Sequence, residues 1–268
     1  MGAAAEVVRS RTNPFYKQLV DLKERGGDDL ALLEGIRLLE EAREARLPIR
    51  AVAASPRVRH SPRGRALLAD LEARGVPVRM LEDRLLESVS ELETSQGILA
   101  LAERPAFAED ALFRGTPLVV VAVAIQNPGN LGGLLRTAEA AGATGAILTE
   151  GTADPLSWKA LRGSMGSAFR LPHRRGLSIE ATLSLLEEHG VATVAAYATA
   201  SVRYDEADLG QPTAFLLGNE GTGLPHDVMR AADQRVGIPM QGGVESLNVG
   251  VAAGILLFEA ARQRRGVR

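Results

Sequence analysis

The sequence predicts an α/β protein in two parts, and three observations carry that prediction. Short apolar runs such as Leu118 to Ile125, Ala192 to Tyr197 and Ala214 to Leu217 alternate with segments whose apolar positions recur at helical spacing. Several runs stop abruptly in Gly, Asn, Glu or Pro, as buried strands do where they give way to loops. Between Arg104 and Pro117 the pattern lapses into mixed charge bounded by prolines. That lapse reads as a linker, placed at residues 106–116, between a domain at 1–105 and another at 117–268. With 268 residues, both parts have enough chain to bury a core.

In the first part, Asn13-Pro14 opens a helix with Phe15, Leu19 and Leu22 at helical spacing, and Gly26-Gly27 ends it. Leu30 to Leu33 is a short strand or a helix start. Helix is expected for Ile36 to Ala45 and Arg65 to Arg74, and strand for Ile49 to Ala54, Val76 to Leu81 and Ile98 to Ala102. This is the pattern of a small α/β domain with a largely covered sheet. It holds no catalytic constellation. Its most suggestive feature is the cluster Arg57, Arg59, His60, Arg63 and Arg65, punctuated by Pro56 and Pro62. Such a loop could neutralise nucleic-acid phosphates, or it is simply a solvated surface.

The second part begins with a βαβ pattern: strand Val119 to Ile125, glycine-rich turn Gln126 to Gly133, helix Leu134 to Ala141, strand Ala146 to Thr149. Its glycines fall as Gly129-x-x-Gly132-Gly133, whereas a dinucleotide fingerprint needs G-x-G-x-x-G. No P-loop lysine follows, so a Rossmann oxidoreductase is only an alternative. Arg136, in the helix close to the glycines, offers five donors suited to a phosphate or carboxylate, although alone it is equally an ordinary surface arginine. Asn130 could be a plain turn former. Trp158 to Ser167 reads as helix followed by a small-residue turn. Arg162, Arg170, Arg174 and Arg175 form a second basic cluster, with Trp158 and Phe169 among them. Interleaved aromatics could stack on bases, but Phe169 is better read as a core anchor.

After a helix at Thr182 to His189, the stretch Ala214 to Ile255 holds two buried strands, Ala214 to Leu217 and Val236 to Met240, and a Gly/Ala-rich helix. Ligands of open α/β sheets bind beyond the carboxyl ends of the strands, so these two loops should converge on one ligand. Glu220, Ser246 and Asn248 are the polar candidates there.

Composition narrows the classes. Residues 1–105 balance 17 basic against 17 acidic side chains, and the remainder 14 against 16, so nucleic-acid binding must rest on local clusters. No cysteine means no disulfide, thiolate zinc site or cysteine nucleophile. The four histidines, at 60, 173, 189 and 226, have no metal-ligand spacing, and no metal is expected. There is no G-x-S-x-G elbow. The longest apolar run is too short to span a bilayer, and MGAAAEVVRS lacks a signal-peptide core, so a soluble cytoplasmic protein is expected.

Three turns at strand ends then stand in order. Asn130-x-Gly132 with Arg136-Thr137-Ala138, Leu217-Gly218-Asn219-Glu220-Gly221 with Gly223-Leu224-Pro225, and Ile238-Pro239-Met240 with Glu245-Ser246-Leu247-Asn248-Val249 resemble the three motifs of the SpoU (TrmH-like) family of RNA ribose 2′-O-methyltransferases, of the SPOUT class. The likeness covers Pro117 onward. More loosely, SRTNPFYKQL and LLEGIRLLEEA resemble the L30e-like substrate-binding domain often attached in this family. The first motif departs slightly, reading Gln126-Asn127-Pro128 where many relatives carry an acid.

The resemblance implies a parallel sheet whose C-terminal chain threads a deep trefoil knot, S-adenosylmethionine as cofactor, and a homodimer. It implies cofactor contacts at Leu217, Gly218, Asn219, Ile238, Met240 and Leu247. Arg136, Asn130, Glu220, Ser246 and Asn248 would form the catalytic set, with Arg136 positioning a phosphate and polarising the hydroxyl. RNA would meet Arg57, Arg59, Arg63, Arg65, Arg162 and Arg170. The extra domain favours 23S ribosomal RNA over transfer RNA. A knotted RNA-binding protein without catalysis is the alternative of a different class.

Overall fold

The computed structural model describes residues 7–219 and 221–265. The chain groups into two compact units: Met1–Pro105 with Leu156–Arg162, and Ala106–Pro155 with Gly163–Arg268.

The first unit contains α1 (Pro14–Arg25), β1 (Leu30–Glu34), α2 (Ile36–Glu44), β2 (Ile49–Ala54), α3 (Pro62–Ala73), β3 (Val78–Met80), α4 (Asp83–Val89) and β4 (Ile98–Glu103). Its sheet runs β1-β4-β2-β3, antiparallel except for β2 with β3. Helix α1 starts where expected because Asn13 Oδ1 accepts from the Phe15 amide at 2.9 Å and Pro14 needs no donor there. Its Phe15, Tyr16 and Leu19 bury against Ala53, Leu81, Leu86 and Leu99. Full burial of a side chain such as Leu19 stabilises by about 1.5–3 kcal/mol.

Two details differ from the sequence expectation. Helix α3 begins at Pro62 rather than Arg65, because Ser61 Oγ accepts from the Gly64 amide at 2.9 Å. Helix α4 was not expected; with seven residues, its apolar Leu85, Leu86 and Val89 span too little chain to display a period.

The second unit contains β5 (Leu118–Ala122), α5 (Pro128–Ala141), β6 (Gly145–Thr149), the end of α6 (Trp158–Ser164), α7 (Ser167–Arg170), β7 (His173–Leu177), α8 (Ile179–Glu188), β8 (Ala192–Ala196), β9 (Val202–Arg203), β10 (Thr213–Leu217), α9 (His226–Ala231), β11 (Gln234–Gly237) and α10 (Val249–Arg265). All seven strands are parallel, in the order β7-β6-β5-β10-β8-β11-β9. Val119, Val121, Ala214 and Leu216 face a core closed by Leu185 and Leu186 of α8 and Val228 of α9. On the other side α5 packs along α10.

Local chemistry explains where this unit departs from expectation. The glycine-rich stretch Gln126 to Gly133 is mostly helix, since Asn127 Oδ1 accepts from the amides of Gly129 (2.9 Å) and Asn130 (3.2 Å) and Pro128 presets the first turn. Strand β5 ends at Ala122, and Ala124 turns the chain at φ 50°. Strand β7 escaped notice because HRRGL is polar; as an edge strand it has only His173 buried. Within 106–116 a 3₁₀ turn, Glu109–Phe113, carries the fully buried Leu112 into the core, and Thr144 Oγ1 donates to its carbonyl at 2.6 Å.

The end of α10 is tied down by two side chains. Arg264 donates to four carbonyls: Leu209 (3.1 Å), Thr116 (2.9 Å), Pro117 (3.0 Å) and Gln211 (2.6 Å). Burial pulls its pKa below the ordinary arginine value. Gln263 accepts from the Leu209 amide at 2.8 Å and donates to the Ala207 carbonyl at 3.0 Å. Arg264→Ala should leave those carbonyls without their cationic donor and destabilise the unit by about 2–4 kcal/mol. Urea unfolding would read this as a lower midpoint.

Candidate active site

The strand order brings the carboxyl ends of β5, β10, β8 and β11 side by side. Neighbouring strands are about 4.8 Å apart, so the loops leaving these four lie within about 15 Å.

From β10 the chain enters a tight turn. Asn219 and Gly223 form an isolated bridge, with the Gly223 amide donating to the Asn219 carbonyl at 2.8 Å. Asn219 Oδ1 accepts from the Gly221 amide at 2.8 Å, and its Nδ2 donates to the Ala124 carbonyl at 3.0 Å. This asparagine therefore joins the loop after β10 to the loop after β5. The Val123 amide, donating to Leu217 O at 2.8 Å, makes a second tie between them. Gly218 is dictated by space, since a Cβ there would stand 2.2 Å from Gly223 C and 2.3 Å from Leu224 N.

Beyond β11, Ile238, Pro239 and Met240 lead into Gly242 and Gly243, both in the left-handed region at φ 70° and 75°. The expected strand Val236 to Met240 is thus shifted to Gln234–Gly237, since proline has no amide to continue a ladder. Asn248 then opens α10: its Oδ1 accepts from the Gly250 amide at 2.9 Å, and its Nδ2 donates to Asn130 Oδ1 at 3.0 Å. Residues 118 positions apart are joined by that one bond. At the amino ends of the strands, away from these loops, Asp233 Oδ2 accepts from the amide (2.8 Å) and hydroxyl (2.7 Å) of Thr193, coupling β8 to the start of β11. These bonds hold the Asp233 carboxyl below its ordinary pKa.

Between the loops is a cleft of about 410 Å³. Leu217, Gly218, Asn219, Ile238, Met240 and Leu247 all line it, as does Ser246. So do Glu245, Tyr197 and Ala198, which sequence reasoning passed over. The turn holding Tyr197 passes over Gly237, where a Cβ would lie 3.2 Å from the Tyr197 and Ala200 carbonyls. Only the backbone approach makes that turn part of the cleft, and no side-chain pattern signals it. The volume and the mix of apolar walls with loop amides suit a drug-sized organic ligand with a few polar groups.

Arg136 stands apart from the Asn130–Asn248 contact. It is exposed on α5, about 120° round the helix from Asn130. Glu220 lies outside the described residues. The arginines of the two basic clusters have internal partners. Arg57 pairs with Glu87 (2.8 Å) and Asp83 (3.5 Å), Arg59 with Glu72 (3.5 Å), and Arg63 with Glu40. Arg65 donates to the carbonyls of Arg59 and His60 at 2.7 and 3.3 Å. The Arg162 guanidinium lies 5.0 Å from the Trp158 ring centroid. Arg170 grips Glu139 with two bonds of 2.7 and 3.0 Å, which lowers the Glu139 pKa, and Phe169 beside it is buried. Among the described residues, no group of three or more His, Asp or Glu side chains is arranged to hold a metal ion.

Comparison with known proteins gives a consistent picture. Residues 117–258 match the model of the SpoU rRNA Methylase family, and residues 13–100 that of the MRM3-like substrate binding domain. The 23S rRNA (guanosine(2553)-2′-O)-methyltransferase RlmP of Bacillus subtilis is 34% identical over 247 residues, which are 91% of this chain and 93% of that protein. An AdoMet-bound rRNA methyltransferase from Sinorhizobium meliloti superposes with a TM-score of 0.84 at 32% identity, covering 96% of this chain and 97% of its own. The AdoMet complex of the SpoU methyltransferase AviRb from Streptomyces viridochromogenes also gives 0.84, at 31% identity and 96% and 100% coverage.

The closeness of Gly218 to the following turn makes a direct prediction. Gly218→Ala should displace the Gly223–Leu224 backbone from the cleft wall and weaken S-adenosylmethionine binding about ten-fold or more, about 1.4 kcal/mol, as read by isothermal titration calorimetry.

Proposed function

Because the chain belongs to the SpoU rRNA methylase family, we propose that it methylates the ribose 2′-hydroxyl of a guanosine in 23S ribosomal RNA, using S-adenosylmethionine. The observation that carries this reading is the cleft on which the loops after β10 and β11 converge, tied to the loop after β5 through Asn219 and to the start of α5 through Asn248. S-adenosylmethionine supplies an electrophilic methyl group. The residues of this chain supply position and charge. Leu217, Gly218, Asn219, Ile238, Met240 and Leu247 hold the cofactor. Asn130, Ser246, Asn248 and Glu220 orient the polar groups around the 2′-hydroxyl. Arg136 anchors an RNA phosphate and polarises that hydroxyl; with the cofactor bound, its oxygen would take the methyl as the methyl–sulfur bond breaks to leave a neutral thioether, and its proton would pass to solvent. A guanidinium has too high a pKa to act as a simple base. Positioning is therefore its main contribution.

We propose a functional division in which residues 1–105 recognise RNA as an L30e-like domain, 106–116 connect, and 117–268 catalyse. Arg57, Arg59, Arg63, Arg65, Arg162 and Arg170 stay proposed RNA contacts, each exchanging an internal partner for a phosphate. The C-terminal chain forms a deep trefoil knot, a reading supported by the out-of-sequence position of β10 and the Arg264 clasp. A cytoplasmic location goes with a ribosomal RNA substrate; no helix among the described residues is long and apolar enough to cross a membrane. The active form is a homodimer. Its support is an apolar stripe on α10, where Val251 is 53% and Phe258 47% exposed, one heptad apart.

Transfer of labelled methyl to unmodified 23S rRNA and tRNA transcripts, followed by mapping of alkali-resistant sites, tests the reaction and its target together. Wild type should modify one 23S position, and Arg136→Ala should slow transfer about 100-fold or more at unchanged cofactor affinity. Methylation of tRNA alone would transfer the reading to that substrate. Cofactor binding without transfer to any RNA or ribosomal subunit would leave a binding protein. For the dimer, Phe258→Glu should halve the mass seen by light scattering; a monomeric wild type would sink the proposal.

A further inference from the structure

We propose that RNA meets the first unit along an edge carrying Arg9, Arg11, Lys17 and Arg79, a phosphate-binding surface separate from the Arg57–Arg65 cluster. This deepens the rRNA-methyltransferase reading above and rests on it.

The edge is assembled by backbone bonds. The Val8 amide donates to Met80 O at 2.8 Å and the Glu82 amide to Val8 O at 3.0 Å, so Arg9 follows directly from a segment paired with the end of β3. The Asn13 amide, donating to Ser10 O at 3.2 Å, closes the turn that carries Arg11. Arg11 and Lys17 line one groove along α1. The Arg79 guanidinium lies 4.7 Å from the ring centroid of Phe15, in the same first helical turn as Lys17.

What separates these cations from Arg57, Arg59 and Arg63 is their lack of counter-charge. Arg25, Arg43, Arg50, Arg57, Arg59 and Arg63 all have carboxylate partners. Among the described residues, no carboxylate lies within 4.0 Å of the side-chain nitrogens of Arg9, Arg11, Lys17 or Arg79. The first turn of α1 contains no acid. Of the bordering acids, Asp21 is paired with Arg25 and Glu82 with Arg84, while Glu24 sits at the far end of the groove. Four exposed cations without carboxylate partners can each neutralise an RNA phosphate and release the counterion condensed on it. At the Arg57–Arg65 cluster, which lies on a 3₁₀ turn and the start of α3, RNA must first displace Glu87, Glu72 or Glu40; here it displaces only water and salt. The ring of Phe15 also holds the plane of Arg79 in place, reducing the entropy lost on binding.

The test is the salt dependence of binding to an unmodified 23S rRNA transcript, using the full-length chain. Arg11→Ala/Lys17→Ala should bind several-fold more weakly and lower the slope of log K against log salt by about 1.5 to 2, the loss of two phosphate contacts. Arg11→Lys/Lys17→Arg should restore the slope, and both variants should bind S-adenosylmethionine like wild type. An alanine pair with wild-type slope and affinity would overturn the proposal. A wild type that binds the cofactor but no RNA would instead overturn the reading beneath it.

Discussion

The insertion of β10 between β5 and β8 is the constraint on which the second unit depends. All five residues of β10 are buried; all five have register partners on β5, and the first four also have partners on β8. A strand in that position has nowhere to leave except at its ends. Its carboxyl end therefore delivers Gly218 and Asn219 between two other strand ends, and the hydrogen bonds from Asn219 and Val123 follow from that proximity. The cleft is a consequence of strand order before it is a property of any side chain.

Rigidity there comes from distributed ties more than from one strong contact. Asn127 caps α5, Asn219 bridges two loops, and Asn248 both caps α10 and reaches Asn130. Asparagine recurs because its amide donates and accepts at once, without a charge that burial would penalise. Glycines complete the arrangement where backbone passes against backbone, as at Gly218 and Gly237. At the opposite end of the sheet Arg264 performs a comparable task with a charged donor, which can be partly buried because four carbonyls replace its water. Pinning α10 at its end while Asn248 holds its start gives the helix little freedom to carry the cleft wall away.

Electrostatics divide the first unit unevenly. The cluster most conspicuous in the sequence, Arg57 to Arg65, is already committed to carboxylates brought to it by α2, α3 and α4 and to its own carbonyls at Arg59 and His60. Spacing along the chain reveals like charges that are close in sequence, whereas counter-charges arrive from elsewhere in the fold. Ion pairs at the surface are weak, so they grade affinity for phosphate without abolishing it.

By itself the sequence determined the fold class, the strands and helices whose apolar periods run over several residues, and the loop residues of the cleft, because Gly, Asn and Pro mark strand ends wherever the strands are placed. It determined the start of α1 through Asn13-Pro14 as well. Short or polar elements, α4 and β7, stayed hidden, as did the helical character of Pro128 to Gly133, where capping overrides the low propensity of glycine. Tertiary structure alone decided the order of the strands, the Asn130–Asn248 bond, the entry of Tyr197 into the cleft, and which arginines already have partners. The physical reason is the range of the information: periodicity and turn chemistry act over a few residues, while hydrogen bonds between residues 118 apart and charge pairs across elements exist only after the sheet has chosen its neighbours.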